Sequence, residues 1–64
     1  MRLDVNNKLL SIGDKVHIQG KSNKFYWVAG FNELLNCADI AIEKNAKGMY
    51  SVLCEKLVKL KNQN

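Results

Sequence analysis

The sequence predicts an all-β fold, a small barrel of five short strands with a one-turn helix before the last strand. Three observations carry that prediction. Apolar and polar residues alternate with period two in "KVHIQ", aromatic and β-branched residues crowd into "KFYWVAGF", and Gly, Asn and Asp punctuate the runs between them. Sixty-four residues, 47% hydrophobic and 25% charged, describe one domain spanning 1–64, with its core at about 9–61 and a frayed polar tail at 62–64. A chain this short buries only about 60% of the surface it exposes when unfolded, which leaves little volume for a catalytic cleft.

Each element has its own local signal. "RLDV" alternates and is followed by the turn signal Asn6-Asn7, the pattern of a short first strand. Gly13-Asp14 makes the next turn, after which Val16 and Ile18 point one way and Lys15, His17 and Gln19 the other. A polar loop after Gly20 leads into the aromatic strand. There Phe25, Trp27, Ala29 and Phe31 share one face and Tyr26 and Val28 the other, unless a bulge at Gly30 moves Phe31 across. With the bulge, Tyr26, Val28 and Phe31 point inward and Trp27 outward; without it, Trp27 is core.

Two readings compete over the next segment, "NELLNCADIAIEKNAKG". A helix at about 33–47 has Asn32 as N-cap, a Glu43 to Lys47 pair and Gly48 as its stop, and would make the fold α+β. The apolar residues of that helix would spread round the whole cylinder, which a 64-residue domain cannot cover. The strand reading is favoured instead. "ADIAIEK" alternates Asp39, Ala41 and Glu43 against Ile40 and Ile42, "NAKG" forms a hairpin loop, and "MYSVLC" pairs back as a strand. A tight turn through Glu55 to Leu57 then precedes a short last strand.

The residues "GDKVHIQG", "FYWVAGF", "ADIAIEK" and "YSVLCEKLVKL" together resemble the SH3-like five-stranded small barrels of the KOW and Tudor type, including short uncharacterised bacterial and phage proteins. The resemblance covers most of residues 9–61 and rests on turn glycines and alternation. It implies a binding module of a class that commonly binds RNA, DNA, ribosomal surfaces, peptides or modified tails and seldom catalyses. Fold alone does not choose among these.

Chemistry-bearing motifs are sparse. "GKS" at Gly20 to Ser22 lacks the second glycine of a phosphate-binding loop, since residue 15 is Lys, and the residues after it are strand-like where such a loop needs a helix. His17, Cys37 and Cys54 have no paired metal-ligand spacing, so no metal, cofactor or disulfide framework is expected and both cysteines are read as buried reduced thiols. The six carboxylates fall mostly at turns or outward strand positions and form no acid–base pair.

The basic residues say more. A net charge of +4 is compatible with an anionic partner. Lys15, His17, Lys21 and Lys24 fall beside the aromatic run, and with Phe25 and Trp27 they are the candidate binding set, in which lysines track phosphates and a ring stacks on a base. Lys56, Lys59 and Lys61 form a second cluster that suits a solvated edge strand. The expected partner is therefore RNA or single-stranded DNA, the alternative is a protein, and a free strand edge also admits a homodimer. The first ten residues lack the apolar run of a secretory signal and no stretch approaches the ~20 residues of a membrane span, so a cytoplasmic location is expected.

Overall fold

The computed structural model describes residues 2–60, so the expected polar tail and Lys61 lie outside the described residues. Among the described residues, five antiparallel strands form one sheet: β1 (Lys15–Ile18), β2 (Lys21–Asn32), β3 (Cys37–Ala41), β4 (Tyr50–Leu53) and β5 (Leu57–Lys59). A one-turn 3-10 helix, Cys54–Lys56, joins β4 to β5. The spatial order is β4-β3-β2-β1-β5. The sheet is open, so the SH3-like barrel of KOW or Tudor type is not formed.

The physical reason lies at β5. Its inner side pairs with β1, while its outer side is occupied by the N-terminal segment rather than by β4. Val5 N–H donates to the Leu57 carbonyl at 2.9 Å and Lys59 N–H donates to Asp4 Oδ2 at 2.8 Å. The "RLDV" segment thus contributes a clasp, tied by a single bridge between Leu3 and Leu9, in place of a first strand. Asn7, at φ 62°, supplies the left-handed turn that the Asn6-Asn7 pair predicts.

No helix occupies residues 33–47. The capping signal at Asn32 is genuine but serves a turn: Asn32 Oδ1 accepts the Leu35 N–H at 3.4 Å, and Asn36 at φ 53° reverses the chain into β3. Leu34, 98% exposed, shows why a helix fails here, because its apolar side chains have nothing to pack against. Alternation along β3 ends at Ala41, and Ile42 is exposed where the sequence places it inward. The loop after β3 returns under Gly48, where an added Cβ would lie 2.6 Å from the Cβ of Asp39.

The core gathers Leu10, Val16, Tyr26, Val28, Ala38, Ile40, Cys54 and Leu57, with Ile18, Phe31 and Val52 packed against it. Val28 pairs with Ile40 and Gly30 with Asp39, which leaves Ala29 as an extra residue in β2. This is the bulged register, and it turns Phe31 inward while Trp27 stays on the outer face. Tyr26 is fixed by an edge-to-face contact with Tyr50, ring centroids 6.1 Å apart.

Two carboxylates are buried, against the expectation that such groups would face solvent. Asp4 Oδ1 accepts the N–H groups of Asn6 and Lys8, both at 2.8 Å, while Oδ2 takes that of Lys59. Burial pushes the Asp4 carboxyl up, but the three N–H donors outweigh it and hold the group below the usual 3.8. Asp14 Oδ2 accepts the Ser11 N–H at 2.8 Å and lies 3.2 Å from Lys59 Nζ, which also donates to the Leu9 carbonyl. Lys59 is therefore a structural tie. Both cysteines are free: Cys54 is buried, and burial together with the neighbouring Cys37 pushes its thiol up, while Cys37 is half-buried.

Candidate functional site

The outer face of the sheet assembles part of the candidate set. Lys15 sits opposite Trp27 in the β1–β2 register, and Phe25 lies two residues before it on β2. Lys15 Nζ approaches the Phe25 ring to 4.7 Å and the Trp27 ring to 5.6 Å from their centroids, so one ammonium serves both aromatics. These three residues form a unit. His17 is half-buried on β1, opposite Val58 of β5, and its Nδ1 lies 3.1 Å from the Ile18 carbonyl, to which an Nδ1–H tautomer donates. Lys21 and Lys24 are exposed at the hairpin end where β2 begins.

Beside Trp27 opens a groove of about 250 Å³ that the candidate set does not anticipate. Its floor is Trp27, Val28 and Ala29, one wall is Ile12 and Gly13, and the other is Glu43, Asn45 and Ala46. Both walls are turns. Gly13 at φ 95° and Asn45 at φ 66° adopt the left-handed backbone that carries the chain past β2 on either side. Gly13 N–H donates to the Val28 carbonyl at 2.8 Å, which holds the first wall against the strand. Among the described residues, Glu43 is the one ionisable side chain in the lining, and Ile12 is 67% exposed at the rim.

"NAKG" marks Asn45 and Ala46 as a loop in the sequence, and Gly13 as a turn. That the two flank the same stretch of β2 depends on pairing between distant segments, which carries no local signal. Among the described residues, no group of His, Cys, Asp and Glu is placed to hold a metal ion, and no helix is long and apolar enough to cross a membrane. Comparison with protein-family models, characterised proteins and solved structures finds no match.

Proposed function

We propose that this chain is a small, non-enzymatic, cytoplasmic docking module that receives a segment of a partner protein in the groove beside Trp27. The observation that supports this is the groove's lining: an indole floor, an exposed isoleucine rim and one carboxylate. A phosphodiester chain laid there would meet Glu43, whereas a peptide offers apolar side chains to Trp27 and Ile12 and amides to Asn45. Two free cysteines suit a reducing compartment.

A second reading, RNA or single-stranded DNA binding through Lys15, His17, Lys21, Lys24, Phe25 and Trp27, draws support from the Lys15 ammonium held over two rings. Stacking of a base is worth about 1–3 kcal/mol, enough to displace an exposed cation–π contact of about 0.5–1 kcal/mol. One pair of experiments separates the readings. A photo-crosslinking residue in place of Ala46 captures a discrete protein in the source cells, and Ile12→Asp abolishes the capture. Titration with a single-stranded oligonucleotide at about 50 and 200 mM salt leaves Trp27 fluorescence unchanged. Quenching that fades steeply with salt, with no crosslinked protein, transfers the assignment to nucleic acid.

A further inference from the structure

Resting on the groove's role as a docking site, we propose that the segment it receives carries opposite charges on either side of one apolar residue, a base toward Glu43 and an acid toward Lys15. Lys15 lies opposite Trp27 across the β1–β2 pairing. Ala41 lies opposite Trp27 across the β2–β3 pairing, with Glu43 two residues further along the chain. The indole is thus flanked by an ammonium on the β1 side and a carboxylate on the β3 side.

Among the described residues, neither charge has an ion-pair partner, the pairs being Arg2 with Glu33 and Lys59 with Asp14. Two strand spacings of about 4.8 Å separate β1 from β3, so the two groups stand on the order of 10 Å apart, too far to pair with each other. The Phe25 and Trp27 rings hold the Lys15 ammonium from one side, and an ammonium so held still has N–H donors for a carboxylate.

An extended chain sets residues i, i+2 and i+4 on one face and spans about 13 Å from the first to the last. With an apolar side chain at i+2 seated between the walls, on Trp27 and against Ile12, the side chains at i and i+4 pass outward toward Glu43 and Lys15. A segment with two acids would set one against Glu43. A segment with two bases would set one against Lys15, and either opposition lowers affinity.

Three acetylated and amidated pentapeptides test this, Lys-Ala-Ile-Ala-Asp, Lys-Ala-Ile-Ala-Lys and Asp-Ala-Ile-Ala-Asp. Each is titrated into the full isotope-labelled chain and followed by amide NMR at about 50 mM salt, where exposed charges are little screened. Shifts should centre on the amides of Gly13, Trp27 and Ala46, and the mixed peptide should bind about fivefold tighter than either like-charged one. Glu43→Lys, at an exposed loop position, should move the preference to the peptide with two acids, and Lys15→Glu should move it to the one with two bases. Equal binding of all three at the groove overturns the charge pattern while the groove remains a docking site. Tightest binding of the doubly acidic peptide by the unaltered chain overturns it in favour of a polyanion on Lys15, Lys21 and Lys24. If no peptide shifts these amides, the charge pattern and the docking site both fall.

Discussion

The two edges of the sheet meet the same problem in opposite ways. At β5, three residues of strand are sealed by a clasp in which the Lys59 amide donates to buried Asp4, the Lys59 ammonium pairs with buried Asp14, and the Val5 amide donates to the Leu57 carbonyl. At β4, a slightly longer strand ends in solvent, with Tyr50 50% exposed and its outer backbone groups open. A domain with so small a core gains from fixing one edge with charge-assisted hydrogen bonds, each stronger than a neutral one. The opposite edge stays available. Stability is thereby concentrated at the β5 side, and the β4 side is left open.

Substitutions should expose that asymmetry, starting with the largest effect. Asp4→Ala removes the acceptor for three N–H groups and should cost about 3 kcal/mol, lowering Tm in a thermal melt by roughly 15 °C. Gly48→Ala drives a Cβ against Asp39 beneath the approach to β4 and should cost about 1–3 kcal/mol in urea unfolding. Lys59→Met keeps the backbone bond to Asp4 but loses the Asp14 contact, for about 1 kcal/mol, since that pair is only partly shielded from solvent. On the open edge, Ser51→Thr keeps a hydroxyl for Asp39 at an exposed position and should stay within about 0.5 kcal/mol of the parent.

Acid sharpens the same contrast. Because the folded Asp4 carboxyl is held below 3.8, its contribution is complete above that value and is lost as pH falls through the lower folded value. Melts taken from pH 5 to pH 2 should therefore show a loss of stability that is smaller in Asp4→Asn, which has no charge to lose. An equal loss in both proteins would place the acid sensitivity elsewhere.

Strand content was readable from residues 15 to 59 because alternation and turn residues are local. Val16 and Ile18 pointed inward as their spacing required, and Gly30 marked a place where the register could slip, which it does. Closure was not readable. It depends on whether residues 4 and 5 or another strand takes the outer edge of β5, a choice made by a carboxylate more than fifty positions from its amide partner. The same limit applies to the site. The sequence groups Lys15, Phe25 and Trp27 with His17, Lys21 and Lys24 as one candidate set without ranking them, and the β1–β2 pairing is what brings those three together, whereas Ile12 and Glu43 reach the groove only through the folding of two turns. Lys59 was misread because a lysine on an edge strand looks the same in sequence whether its ammonium is in water or on Asp14.

Native-state amide hydrogen exchange tests the difference between the edges most directly. The amides of Val5 and Lys59 should exchange slowly, with the core. Those of Ser51 and Leu53, which the ladder alternation counted from the Cys54 N–H to Asn36 carbonyl bond turns away from β3, should exchange fast although they lie within a strand. Rapid exchange at Val5 and Lys59, or protection of Ser51 and Leu53, would contradict the sealed and open assignments of the two edges.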